Sequence, residues 1–298
     1  MKCRLLILSV ILIVGLTGTA SCLGKESPAK LKAFVSIVPQ KYFVERIGGD
    51  RVDVSVLVGP GRSPATYEPT PRQMAELSKA RVFFRIGVPF ENSLIPKIES
   101  MFKGLTMVDT RKGIKLRKMH PDRAGERHET HAAGARDPHI WLDPILVKTQ
   151  AKTICDALSK LDPKNAGIYK KNLKRFQDNL DRVHARVGKA LAPVKGKELF
   201  VFHPAYGYLA DRYGLKQVAV ETGGKEPSAR QLATLIDKAK ESGARVIFMQ
   251  PQFDRRNAET VAKAIGGAVV SLDPLGADYL KNLEEMASKV ESALSVQR

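Results

Sequence analysis

At 298 residues with 43% hydrophobic content, the chain has material for a sizeable buried core and room for two domains, which excludes disorder over most of its length. Its formal charge of +18 is spread over dispersed basic pairs such as Lys170-Lys171, Lys174-Arg175 and Arg255-Arg256, without interleaved aromatic residues. That distribution reads as solvated faces with a general attraction to anionic lipid head groups, and it excludes a nucleic-acid role.

The chain starts with Lys2 and Arg4, an apolar run from Leu5 to Leu16, and small residues up to Cys22. Such an order is that of a signal peptide: the run is too short to span a bilayer, and no later stretch approaches ~20 apolar residues. Thr19-Ala20-Ser21-Cys22 resembles a bacterial lipobox, with Thr19 where leucine is usual. Residues 1–22 are therefore expected to be a lipoprotein leader, with Cys22 acylated as the new N-terminus and residues 23–31 as a tether. Loss of Lys2 and Arg4 lowers the formal charge to +16, and Cys155 is left as the one thiol, so no internal disulfide forms.

From Lys32 the pattern alternates: apolar Ala33 to Val38, helical Gln40 to Ile47, strand Val52 to Val58, helical Arg72 to Ala80, apolar Arg81 to Ile86. This predicts an α/β lobe over 32–162 with a mainly parallel sheet. Within it, 112–138 is polar, lacks apolar periodicity and reads as a long functional loop. A helix over Ile145 to Leu161 follows. Then Tyr169, Leu173, Phe176, Leu180, Val183, Val187 and Leu191 keep spacings of three and four, which predicts one amphipathic helix over 163–192. At that length it is a stiff strut between two halves. Alternation resumes over 193–298, with strands at Glu198 to Phe202, Gln217 to Val220, Ala244 to Met249 and Ala268 to Leu272, and helices between and after them. The expected fold is α/β: two lobes, each a mainly parallel sheet with flanking helices, joined by one long rigid helix. The ligand site is expected in the cleft at the carboxyl ends of the strands.

Four of the six histidines, His120, His128, His131 and His139, fall within twenty residues. Imidazole is the commonest ligand of borderline ions such as Zn²⁺. The first three read either as donors or as ordinary polar loop residues. His139 sits in Asp137-Pro138-His139-Ile140-Trp141-Leu142-Asp143-Pro144, a stretch stiffened by two prolines and holding the one tryptophan. His203 and Asp273 each follow an apolar strand and precede a proline. Taken singly, they read equally as a core histidine and a helix N-cap. Two imidazoles and a carboxylate together suit Zn²⁺, whereas Ca²⁺ and Mg²⁺ want more oxygens. His184, between Arg182 and Arg186 on the long helix, reads as a surface residue.

Five ordered segments carry a family resemblance: Tyr67-Glu68-Pro69-Thr70-Pro71, the 137–144 run, His203-Pro204-Ala205-Tyr206-Gly207-Tyr208, Pro251-Gln252-Phe253 and Leu272-Asp273-Pro274-Leu275-Gly276. With these the chain, from about Lys32 to Leu294, resembles the ZnuA-like zinc and manganese solute-binding proteins of bacterial ABC importers. The resemblance implies extracytoplasmic capture of Zn²⁺ and delivery to an ABC permease, by a non-enzymatic monomer at the periplasm or cell surface. Membrane contact would run through the lipid anchor. Family ligands carry over to His139, His203 and Asp273. Manganese-type members usually place a carboxylate at the position of His203, so histidine there favours zinc. The family's first ligand, a histidine two residues before Tyr67, is Ala65 in this chain. The fourth position is then expected from His131, nearest in sequence to His139, or from His128 or His120, with Glu68 as a competing donor and bound water as the remaining alternative. An Mn²⁺ or Fe²⁺ binder of the same architecture is the alternative. A zinc hydrolase is disfavoured by the lack of a His-Glu-x-x-His run, and nothing in the sequence supports an adhesin.

Overall fold

The computed structural model describes residues 29–119, 136–219 and 229–295. The first sheet holds β1 (Leu31–Ile37), β2 (Val52–Val58), β3 (Val82–Arg85) and β4 (Thr106–Asp109), all parallel, in the order β2-β1-β3-β4. Parallel strands are covered on both faces, which is why Val35, Val82, Phe83 and Phe84 form near-continuous apolar runs that are fully buried. Helices α1 (Val38–Gly48), α2 (Pro71–Leu77) and α3 (Glu91–Met101) provide the crossovers. Thr70 opens α2 with a capping box, its hydroxyl accepting from the Gln73 N–H while the Gln73 side chain turns back to the Thr70 backbone.

Two of these elements, α3 and β4, have no counterpart in the sequence reading. Pro96 interrupts the helical pattern of α3, and β4 is only four half-exposed residues long, too short for periodicity to register.

Helix α4 (Pro144–Leu161) leads to a 3-10 turn at Pro163–Asn165, then to α5 (Ala166–Leu191), which ends in a second 3-10 turn at Ala192–Val194. The expected 163–192 strut is thus a 26-residue α-helix, ~39 Å long, with a tighter turn at each proline-bearing end. Tyr169, Phe176, Leu180, Val183, Val187 and Leu191 form its buried stripe, as their spacing requires.

The second sheet repeats the first: β5 (Glu198–Val201), β6 (Lys216–Ala219), β7 (Val246–Met249) and β8 (Ala268–Ser271), parallel, in the order β6-β5-β7-β8. It is flanked by α6 (Gly207–Tyr213), α7 (Ala229–Glu241), α8 (Arg255–Ala264) and α9 (Tyr279–Ser295). One apolar core runs from Val35 and Phe84 through Phe176 and Leu180 to Val201 and Phe248, so the two lobes share it. A smaller core of Phe200, Ile247, Ala258 and Val261 fills the second lobe's outer side. Across the lobes Tyr279, heading α9, packs edge-on against Phe43 of α1 with ring centroids 4.8 Å apart. No described helix is long and apolar enough to cross a membrane.

Candidate metal centre

His139 stands just ahead of a 3-10 turn at Ile140–Leu142 that runs into α4. Asp137, fully buried, fixes it twice: Asp137 Oδ1 accepts the His139 backbone N–H at 2.9 Å and lies 2.7 Å from His139 Nδ1. A carboxylate at that distance holds the proton on Nδ1, so the lone pair of the ring is on Nε2. Asp137 is itself held by Arg117 Nη1 at 3.1 Å, while Arg117 Nε reaches Asp211 at 3.0 Å. Tyr208 donates its hydroxyl to the Asp137 carbonyl (3.1 Å) and accepts the Arg117 backbone N–H (3.0 Å); burial pushes its phenol up to about 12, so it stays a donor. Gly207 makes this packing possible: a Cβ there would lie 1.3 Å from Arg117 Nη1 and 2.9 Å from Asp137 Oδ2.

His203 follows β5 at the carboxyl end of the second sheet. Gln250, buried at the end of β7, brackets its backbone: the His203 N–H donates to Gln250 Oε1 at 3.3 Å, and Gln250 Nε2 donates to the His203 carbonyl at 2.8 Å. Phe253 stacks on the imidazole, centroids 5.2 Å apart and planes at 29°. The result is that His139 Nε2 and His203 Nε2 face each other at 3.4 Å, although 64 residues separate them.

Asp273, half-buried after β8, keeps one oxygen engaged: Oδ1 accepts from Gln252 Nε2 (2.8 Å) and from the Leu275 N–H (2.9 Å). Its loop is tied to the histidine platform, because Trp141 donates its indole N–H to the Pro274 carbonyl (2.8 Å) and its ring lies 5.1 Å from that of His139. Tyr206, whose hydroxyl donates to the Leu272 carbonyl, is pushed well above the ordinary phenol range by burial and then by the Asp273 charge.

The structure therefore brings His139 and His203 together, and links the loop that carries Asp273 to their platform through the Trp141–Pro274 hydrogen bond. Among the described residues no three His, Cys, Asp or Glu side chains are gathered closely enough to hold an ion. Glu68 is exposed and Ala65 half-buried, both in the segment between β2 and α2. His120, His128, His131 and Cys22 lie outside the described residues. His184 is not a plain surface residue: its Nδ1 sits 3.0 Å from the Tyr213 hydroxyl, a contact between α5 and α6. Sequence reasoning gave no role to Asp137, Gln250, Gln252 or Phe253. The signal for three of them was their place in the motif segments; Gln250 had none beyond following an apolar strand.

The family profile for the periplasmic zinc-uptake complex component A, ZnuA, matches residues 34–293. The chain belongs to the ZnuA family. Among its relatives, the high-affinity zinc uptake system protein ZnuA of Bacillus subtilis is 32% identical over 279 residues, covering 89% of this chain and 85% of that protein. A zinc-bound ZnuA deletion mutant superposes with a TM-score of 0.81 at 41% identity, covering 89% of this chain and 98% of the other. The solute-binding protein FpvC of Pseudomonas aeruginosa, solved with Mn²⁺, gives a TM-score of 0.77 at 27% identity, over 91% of this chain and 100% of that one. The ZnuA fold of two lobes on a linking helix is thus the fold described above.

Proposed function

We propose that this chain captures Zn²⁺ outside the cytoplasm and delivers it to the permease of an ABC-type importer, with His139 and His203 as the central ligand pair. The observation that carries this is the 3.4 Å between the two Nε2 atoms. Two imidazoles on a tetrahedral Zn²⁺, each at ~2.05 Å, stand about 3.3 Å apart, so the pair has that bite with a lone pair on His139 Nε2 already facing inward. Asp273 supplies the third donor through Oδ2, the oxygen that Gln252 and Leu275 leave available. One of His131, His128 and His120 closes the shell, with Glu68 as the competing donor.

The same reading makes the chain a binding component rather than an enzyme, a monomer in solution, and a lipoprotein held by Cys22 at the membrane it serves. Mn²⁺ or Fe²⁺ is the second reading, favoured by the likeness to the Mn²⁺-bound FpvC structure. Metal content of protein purified without chelator, followed by competitive titration of Zn²⁺ against Mn²⁺, decides between them. His203→Ala is expected to weaken Zn²⁺ binding at least a hundredfold, and His184→Ala to leave it within threefold. Equal losses in the two variants would refute the ligand assignment.

A further inference from the structure

The exposed side of α5 carries a charge pattern that metal capture does not use. The helix holds seven Lys or Arg against two Asp, and both aspartates are engaged, Asp178 by Lys174 and Asp181 by Lys148. Lys171, Arg175, Arg182 and Lys189 are all exposed, at spacings of four, seven and seven. At ~100° per residue these positions fall within a ~40° arc, a line ~27 Å long that also carries Asp178, neutralised by Lys174, between Arg175 and Arg182. Among the described residues none of the four has a carboxylate partner within 4.0 Å, and Arg182 bonds only to Asn179 on the same helix. Lys164, also exposed, precedes the line by a further seven residues, and Ile168 lies beside it with 41% exposure.

The start of the folded chain lies at the same place. Leu31, the first residue of β1, pairs with Val52. Val52 follows the 3-10 turn Gly49–Arg51, and α5 packs against this corner: Asn172, adjacent to Lys171, donates to the Ile47 carbonyl at 3.0 Å, and its amide lies 3.5 Å from where a Gly49 Cβ would stand. Leu31 stands nine positions after Cys22. Such a length reaches at most about 30 Å. A lipid on Cys22 therefore keeps the amino-terminal half of the basic line within reach of the leaflet that holds it.

We infer that the Lys171–Arg175–Arg182–Lys189 face of α5 is a docking surface for anionic lipid head groups of the anchoring leaflet. The inference rests on the lipoprotein reading for its occupant. A basic line next to an acyl anchor adds electrostatic attraction to anionic head groups on top of the lipid's own insertion. Each basic residue near an anionic surface strengthens binding about fivefold, and the effect is screened by salt.

The test uses the mature chain carrying Cys22→Ser, so that no acyl group contributes, and phosphatidylcholine vesicles with and without phosphatidylglycerol. Sedimentation is expected to show binding only to the phosphatidylglycerol vesicles, falling as salt rises. Lys171→Glu, Arg175→Glu and Lys189→Glu together should weaken it more than tenfold while leaving Zn²⁺ affinity within twofold. The same number of reversals on the second lobe, Arg230→Glu, Lys240→Glu and Lys263→Glu, should change it less than threefold. Three results each overturn the inference: no binding by the parent at low salt, equal losses in the two triple variants, or line-dependent binding to duplex DNA without binding to vesicles. Mass spectrometry of the exported chain judges the anchor separately, since an unacylated Cys22 refutes the lipoprotein reading whatever the vesicles show.

Discussion

Asp137→Asn should separate His139, the proposed ligand, from the carboxylate that orients it. The amide keeps a carbonyl oxygen, which can still accept the His139 backbone N–H now bound at 2.9 Å, and its size is unchanged. What it loses is the negative charge 2.7 Å from His139 Nδ1. Removing an outer partner of this kind from a metal-bound histidine costs 10–100-fold in affinity, or about 1.4–2.7 kcal/mol. The fold should survive, because Arg117 keeps its pairing with Asp211 at 3.0 Å. Arg117→Met is the companion variant: it leaves the Asp137 charge in place beside His139, so Zn²⁺ affinity is expected within about threefold of the parent. Competition titration against a chromophoric chelator reads the affinity, and thermal unfolding of the metal-free variants checks that both remain folded. If folded Asp137→Asn binds Zn²⁺ within twofold of the parent, the buried carboxylate does not tune the ligand and the reasoning fails.

Replacing His120, His128 and His131 together by Ala should weaken Zn²⁺ binding at the His139–His203 pair while Glu68→Gln stays mild; unchanged affinity with loss only of weak extra sites would make the loop a scavenger. Small-angle scattering should show almost no change in radius of gyration on adding Zn²⁺, since α5 and the shared core oppose lobe movement, and a large contraction would contradict that. Tyr169→Phe should cost ~1 kcal/mol at pH 7 by urea unfolding, because the Tyr169 hydroxyl donates to Asp162 at 2.6 Å and, ahead of other causes, holds that carboxyl below its ordinary value. A depressed carboxyl contributes stability above its unfolded value and loses it as pH falls through the folded one, so the gap to the parent should close below about pH 4. A gap that stays constant down to pH 2 would rule out this bond as its source.

Much of the fold was legible because buried parallel strands write themselves as continuous apolar runs and α5 as a three-four stripe. The elements that escaped, α3 and β4, are those where a proline or a four-residue length suppresses the period. His203 and Asp273 stood out by following strands and preceding prolines, and His139 by its place in a proline-bounded run. The distance between the two imidazoles was not, since it depends on Gln250 and Phe253 from a different strand end. Likewise, nothing local marks Asp137 as the partner of His139 rather than a cap for the turn that follows, or places His184 against Tyr213 from another helix.

Helix α9 reaches back to the candidate site through a hydrogen bond. Tyr279, the first residue of α9, donates its hydroxyl to the Trp141 carbonyl at 2.7 Å, and Trp141 in turn braces His139 and the Asp273 loop. Tyr279 stands 138 positions after Trp141, so this support depends on a segment far along the chain from the histidine it steadies. The brace on His139 is thus complete only once both lobes have folded together.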